Sequence, residues 1–187
     1  MREPIQNLAA NASARLEDLA TKVISRHPVK AESLNFELER LTNPAALSAI
    51  DAELKAMVRT DDRMIYQFTT IDQAAYDGLA AAFATKPPTN ASGVILKYSR
   101  LMTPAVPRAL YVGSSSSFRS RIGQHLGRIG GAGTYSMRLA LWATAVPATI
   151  VLNYWPYDRD IDPIELEALE QELWDACTPL LGKRSGK

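Results

Sequence analysis

The chain has 187 residues, of which 47% are hydrophobic and 22% are charged, so it can bury a core and is not an intrinsically disordered chain. Cys177 is the only cysteine and there are two histidines, which excludes an internal disulfide, a cysteine-based zinc site and a histidine-rich metal site. We therefore expect a cytoplasmic protein whose metal, if any, is a hard cation bound by oxygen. No membrane span is expected, because the most apolar window, residues 139–155, contains Pro147 and Asn153.

Residues 1–60 are predicted to be a helical segment. Leucine and isoleucine side chains at helical spacing indicate a first helix that ends before Pro28. Asn43 as the N-cap and Pro44 in the first turn indicate a second helix that runs to about residue 59. The segment is expected to serve either a grip on DNA or assembly, such as a homodimer. Basic and acidic residues are equal in number here, which argues against strong phosphate binding, so we prefer assembly.

Residues 61–187 are predicted to form an α+β domain, in which a small mixed or antiparallel sheet is flanked by helices. The predicted strands cover residues 64–69, 93–99, 109–113 and 148–155. The predicted helices cover residues 71–86, 116–127, 136–142 and 163–178.

The charge of this domain is unevenly distributed. Residues 78–157 contain no Asp or Glu but eight Lys and Arg residues. An acid-free basic block of this length is the electrostatic footprint expected of a protein that binds a polyanion. The alternative, a solvated basic face without a ligand, stays open at this stage.

The four serines at residues 114–117 precede a helix and are not a linker. Gly113 allows a sharp turn, and the serines are N-cap candidates for a helix whose free N–H groups suit a phosphate. Arg121, His125 and Arg128 recur at i, i+4 and i+7, so they share one face beside the apolar stripe of this helix. That face either binds an anion or is merely solvated.

The last helix contains a carboxylate with unusual neighbours. Leu166 and Trp174 flank Glu170 at i−4 and i+4, which predicts that Glu170 lies at the edge of the core. One carboxylate with waters and a substrate phosphate is a normal magnesium site. The alternative is a carboxylate that pairs with an arginine.

These features together resemble the GIY-YIG nuclease family. Its members carry a tyrosine on each of two strands, an arginine ten residues after the second tyrosine, often a histidine four residues later, and a glutamate on a later helix. Tyr111 in "LYVG", Arg121, His125 and Glu170 match these positions, and the resemblance covers roughly residues 63–184.

The first tyrosine of the pattern has two candidates. Tyr66 in "MIYQF" fits the family's opening strand but precedes Tyr111 by 45 residues, whereas Tyr98 in "GVILKYS" precedes it by 13. Alternation along the second stretch favours core packing for Tyr98, so we prefer Tyr66. The family also carries an asparagine about twelve residues after the glutamate, where this chain has Gly182.

The resemblance implies hydrolysis of DNA phosphodiesters that depends on Mg²⁺ or Mn²⁺. Glu170 would hold the metal, Arg121 would stabilise the charged transition state, and Tyr66 would act as, or orient, the base that activates water. Tyr111 and His125 would complete the hydrogen-bond network. The residues expected to contact the DNA backbone are Arg119, Arg128, Arg138, Lys183 and Arg184. A non-catalytic nucleic-acid-binding module on the same fold is the first alternative, and a structural protein that assembles through its N-terminal helices is the second.

Overall fold

The computed structural model describes residues 7–58, 62–103, 108–128 and 133–184. The helices are α1 (Leu8–Ser25), α2 (Pro44–Met57), α3 (Gln73–Phe83), α4 (Phe118–Leu126) and α5 (Pro163–Cys177), with 3-10 turns at Leu38–Thr42 and Leu139–Leu141. The strands are β1 (Glu32–Glu37), β2 (Arg63–Thr70), β3 (Ala109–Ser115) and β4 (Thr149–Tyr157). This arrangement confirms the α+β class. No helix within the described residues has the length and apolar character needed to cross a membrane.

The four strands form one antiparallel sheet in the order β1-β4-β2-β3. Of the two sheet types that the sequence left open, mixed and antiparallel, the structure has the antiparallel one. Alternation along β2 separates its two faces. Tyr66 packs against Phe118 of α4 on one face, with ring centroids 5.6 Å apart. Ile65 packs with Leu166 of α5 on the other face. The edge at β3 is therefore where side chains from α4 and α5 can meet.

The first sixty residues are not wholly helical, which corrects the prediction. Residues 32–37 form β1, and they pair with β4 from Glu32 opposite Tyr154 to Glu37 opposite Thr149. The physical reason is the alternation in "ESLNFE", which turns its apolar side chains at 34 and 36 into the core and leaves its polar ones outside. The boundary expected at residue 60 consequently does not divide the hydrophobic core, which includes side chains from both sides of it.

The strand predicted at residues 93–99 is also wrong. This stretch makes only isolated bridges, one joining Thr89 to Ile95 and one joining Tyr98 to Ser136. Gly93 has a φ of +75°, a left-handed conformation that interrupts an extended strand. Because no strand among the described residues pairs with the segment along its length, its apolar residues do not form a sheet row.

Helix α1 is attached to the rest of the protein mainly at its end. None of its residues is buried. Directly after it, Arg26 Nε donates to Oε2 of the buried Glu165 in α5, at 2.6 Å. A buried carboxylate is costly unless it is paired, so this contact fixes the point where α1 meets the body.

The segment after α5 covers the open edge of β3. The backbone N–H groups of Leu180 and Leu181 donate to the carbonyls of Ala109 and Leu110, at 3.0 and 2.9 Å. The next N–H, from Gly182, donates to the carbonyl of Arg100. This segment thereby satisfies part of an exposed strand edge and brings residues 182 and 183 to the ring of Tyr111.

Candidate active site

A pocket of about 460 Å³ lies at the β3 edge of the sheet. Tyr111 from β3, Arg121 from α4 and Glu170 from α5 line it together. Three residues that the sequence singled out separately thus meet in one cavity, because helices from the two faces of the sheet reach the same edge strand.

Arg121 is fixed by three hydrogen bonds. Its Nη2 donates to the hydroxyl of Tyr111 at 3.1 Å, and its Nη1 donates to Gln124 Oε1 and to the carbonyl of Tyr135, both at 2.9 Å. The guanidinium is half-buried and always charged. An immobilised cation in a pocket is suited to stabilise negative charge that develops on a phosphoryl group.

Glu170 is 8% exposed, which agrees with the position predicted from its apolar flanks. The hydroxyl of Ser114 donates a short hydrogen bond to Glu170 Oε2. Ser114 belongs to β3, so the serine run divides between the end of a strand and the start of α4. A hydroxyl from the run therefore acts on the pocket's carboxylate, a contact that no sequence pattern indicated.

Tyr66 and His125 lie behind the pocket and are both completely buried, with 0% exposure. The N–H of Met137 donates to His125 Nδ1 at 3.3 Å. Since Nδ1 accepts, the neutral ring carries its proton on Nε2, which donates to the hydroxyl of Tyr66 at 3.2 Å. Burial, helped by Arg121, holds the pKa of His125 well below 6.5, so the ring is neutral at pH 7.

Both phenols keep their protons at neutral pH. Burial, followed by the proximity of Tyr111, raises the pKa of Tyr66 well above 10, against the opposing influence of Arg121. Burial also raises the pKa of Tyr111, again opposed by Arg121. Tyr111 lines the pocket whereas Tyr66 does not, so the hydroxyl placed to contact a ligand belongs to Tyr111. Tyr66 is not part of the described lining but interacts with Arg121, so its expected role, to act as or orient the base that activates water, stays a prediction.

Tyr98 lies apart from this group. Its hydroxyl donates to the carbonyl of Pro87 at 2.9 Å, and its ring packs edge-on against Phe83. Of the two candidate first tyrosines, the structure places Tyr66 beside Tyr111, with nearly parallel rings whose centroids are 6.2 Å apart.

The glycine of "LYVG" makes the close approach of the two tyrosines possible. Gly113 lies inside β3 opposite Tyr66, which corrects the prediction that it forms a turn. A Cβ at Gly113 would stand 2.7 Å from the hydroxyl oxygen of Tyr66 and 2.8 Å from Cε1 of Tyr111. Any side chain here would force both rings to move.

Gly182 has a comparable reason to be glycine. Its φ is +122°, a region that L side chains rarely adopt, and a Cβ there would lie 3.3 Å from Cε2 of Tyr111. The backbone at Gly182 therefore occupies the space beside the ring of Tyr111. An asparagine at this position, as the family pattern has it, would be strained.

Two of the arginines expected to contact DNA form ion pairs with a carboxylate of this chain. Arg119 Nη2 and Arg128 Nη2 donate to the two oxygens of Asp51, at 3.1 and 3.0 Å. These ion pairs connect α2, which belongs to the segment predicted to be separate, with α4 and with Arg128 just after it. The face predicted for Arg121, His125 and Arg128 is therefore divided among the pocket, the core and this ion pair.

The other three expected DNA contacts differ among themselves. Arg184 makes a bidentate pair with Asp175. Arg138 is buried and donates to the carbonyls of Lys97 and Thr134. Lys183 lines the pocket. Lys183 alone among the five thus lies at the candidate site, and sequence reasoning missed Arg100 and Tyr135, which line it as well.

The donors of the pocket limit the kind of metal it can hold. Among the described residues, no group of three or more His, Cys, Asp or Glu side chains is placed to share a metal. Glu170 alone supplies a carboxylate to the described lining. This set fits a hard cation such as Mg²⁺, which takes most of its ligands from water and a substrate phosphate.

Comparisons of the chain with protein-family models, with curated proteins and with solved structures gave no match.

Proposed function

We propose that the pocket at the β3 edge hydrolyses phosphodiester bonds of DNA with the help of Mg²⁺ or Mn²⁺. The observation that carries the proposal is that Tyr111, Arg121 and Glu170 line one cavity although they come from three elements. These are also three of the positions through which the sequence resembles the GIY-YIG nucleases.

Arg121 binds the phosphate that reacts. Its three hydrogen bonds hold the guanidinium before substrate arrives, so little reorganisation is needed when charge develops on the phosphate oxygens. Arg100 and Lys183, both exposed on the pocket lining, contact neighbouring backbone phosphates.

Glu170 holds the metal, and Ser114 orients the carboxylate by donating to one of its oxygens. A metal held there would supply positive charge that neutralises the phosphate and favours deprotonation of water. In the hydrolysis, a water oxygen forms a bond to phosphorus and one P–O ester bond breaks; the proton that the water loses goes to solvent, and the leaving oxygen takes a proton from solvent.

The phenol of Tyr111 orients the attacking water from the pocket wall. Its proton is retained at neutral pH, since burial raises its pKa, so Tyr111 contributes a hydrogen bond rather than a resting phenolate. Tyr66 and His125 are positioning residues that support the ring of Tyr111 from behind. His125 lies closest, with its ring centroid 4.3 Å from that of Tyr111.

The test is cleavage of supercoiled plasmid by the purified protein over a range of Mg²⁺ and Mn²⁺ concentrations. Glu170→Gln is expected to abolish nicking while DNA binding, measured without metal, and melting temperature stay close to wild type. Glu172→Gln is the matched control, because Glu172 is an exposed glutamate on the same helix. A Glu170→Gln protein that nicks at the wild-type rate contradicts the proposal.

A non-catalytic nucleic-acid-binding module is the second candidate. The single carboxylate of the described pocket and the burial of Tyr66 favour it. Salt-sensitive DNA binding without nicking at any metal concentration would establish this function in place of hydrolysis.

The remaining expectations concern assembly and location. Leu8, Leu16 and Ile24 on α1 are exposed apolar side chains, which supports a homodimer formed through this helix. Analytical ultracentrifugation of the full chain, compared with Leu16→Glu, tests it. A cytoplasmic location is supported by the single cysteine, and a cell-fractionation experiment tests that.

A further inference from the structure

Tyr135 stands out at the rim of the pocket because its ring is 61% exposed. Its backbone carbonyl accepts the 2.9 Å hydrogen bond from Arg121 Nη1. The backbone of Tyr135 is thereby fixed to the residue that the proposed function assigns to the reacting phosphate, and its side chain lines the same pocket. A large exposed aromatic side chain in the lining of a phosphate-binding pocket is not explained by core packing.

One cation lies near this ring, and others line the same pocket. Lys97 Nζ lies 5.4 Å from the ring centroid of Tyr135, in the range of a cation–π contact. Arg100 and Lys183 are exposed and line the same pocket. Within the ranges that the structure describes, neither Lys97 nor Arg100 pairs with a carboxylate, in contrast to Arg119. The rim therefore combines an aromatic platform with the positive charges of Lys97 and Arg100, which no carboxylate of the described residues neutralises.

We infer that Tyr135 stacks on an unpaired base of the nucleotide next to the phosphate held by Arg121. An aromatic ring bordered by Lys and Arg side chains is the arrangement by which proteins hold single-stranded nucleic acid. Within a duplex, each base is covered by its neighbours, so a protein ring can stack on it only after the base is extruded. This inference rests on the proposed function, because it requires that the pocket bind a nucleic-acid phosphate. The substrate class is then a strand with an unpaired nucleotide at the scissile position.

Binding is measured without metal, so that no cleavage interferes. The probe is a single-stranded oligonucleotide that contains 2-aminopurine, whose fluorescence is quenched when the base stacks. The full chain is expected to quench it, and Tyr135→Ala is expected to lose about 5- to 150-fold in affinity, the usual effect of removing one stacking ring. Tyr135→Phe keeps a ring and retains binding, whereas Tyr135→Leu keeps apolar volume alone and loses it.

A second experiment measures the cleavage rates, in Mg²⁺, of a fully paired duplex and of the same duplex with a single-stranded flap. We expect the flapped substrate to be cut faster, and the ratio of the two rates to fall toward one in Tyr135→Ala. The inference is overturned if Tyr135→Ala binds the probe as wild type does, or if its rate ratio equals that of wild type. Quenching that requires Tyr135 without cleavage of either substrate supports the base site and contradicts hydrolysis. Equal cleavage of both substrates contradicts the base site and leaves hydrolysis in place.

Discussion

Ser114 and Glu170 join the edge strand β3 to helix α5 through a short hydrogen bond in which the serine hydroxyl donates to the carboxylate. The carboxylate is buried, and a hydrogen bond to a charged group is worth about 1.5–3 kcal/mol.

Ser114→Ala is therefore expected to lower the free energy of unfolding by roughly that amount and to raise the Mg²⁺ concentration needed for half-maximal nicking. Ser114→Thr keeps the hydroxyl on a residue that suits a strand, and should restore both quantities. The control is Ser116→Ala, an exposed serine two positions along. An unchanged Mg²⁺ dependence in Ser114→Ala would show that the hydroxyl does not act on a metal-binding carboxylate.

Gly113→Ala tests the packing of the two tyrosines. The new methyl group would overlap the hydroxyl of Tyr66, which cannot move freely in the core, so we expect a loss of about 1–3 kcal/mol in the free energy of unfolding. Gly133→Ala is the control, since a Cβ there meets nothing within 4 Å.

A double-mutant cycle with Tyr66→Phe sharpens this test. Removal of the hydroxyl relieves the 2.7 Å contact but not the 2.8 Å contact with Tyr111, so the double variant should recover part of the loss. Strictly additive effects of the two substitutions, measured by denaturant unfolding, would mean that the two side chains do not meet as described.

Arg121→Ala and Arg119→Ala should separate catalysis from stability. Arg121 lies in the pocket, and removing one charge stabiliser typically lowers the rate by about 10²–10³-fold. Arg119 pairs with Asp51 in a partly exposed ion pair, so its removal should cost about 1 kcal/mol or less and leave nicking nearly unchanged. Single-turnover rates and melting temperatures of both variants make the comparison, and equal small effects on rate would remove Arg121 from the reaction.

His125 should make stability depend on pH. Its pKa is well below 6.5 in the folded protein. As pH falls below 6.5, His125 therefore binds a proton in the unfolded chain before it does so in the folded protein. Stability is thus fully present above pH 6.5 and is lost toward lower pH, with a slope of at most about 1.4 kcal/mol per pH unit from this group. Melting temperatures between pH 7.5 and 5 should fall less steeply in His125→Gln than in wild type. Identical slopes in His125→Gln and in wild type would refute the linkage.

The sequence predicted the elements whose signals are local. Asn43 caps α2 through its side chain, as expected, and β2 and β3 follow aromatic and β-branched residues. β1 was missed although Leu34 and Phe36 alternate with polar residues, because a strand of six residues between two helices gives a weak signal. The strand expected near Tyr98 failed because pairing depends on a partner that local sequence does not reveal.

In the candidate site, too, only the features with a local sequence signal were predictable. The burial of Glu170 followed from its neighbours on one helix, whereas no local pattern indicated the hydrogen bond between Arg121 and Tyr111. The pairing of Arg119 and Arg128 with Asp51 could not be foreseen, since the carboxylate lies 68 and 77 positions away in sequence. An acid-free block of sequence is therefore not an acid-free surface.

The covering of β3 by residues 180–182 has a consequence for when the pocket can form. Gly182 and Lys183 complete the pocket, yet they follow every helix and strand of the structure in chain order. During synthesis, β2 and β3 can pair early, whereas Glu170 and the covering segment leave the ribosome only afterwards. A nascent chain thus has no assembled pocket until its last described residues are free to pair, and for that interval the open β3 edge is available to a chaperone or to another strand.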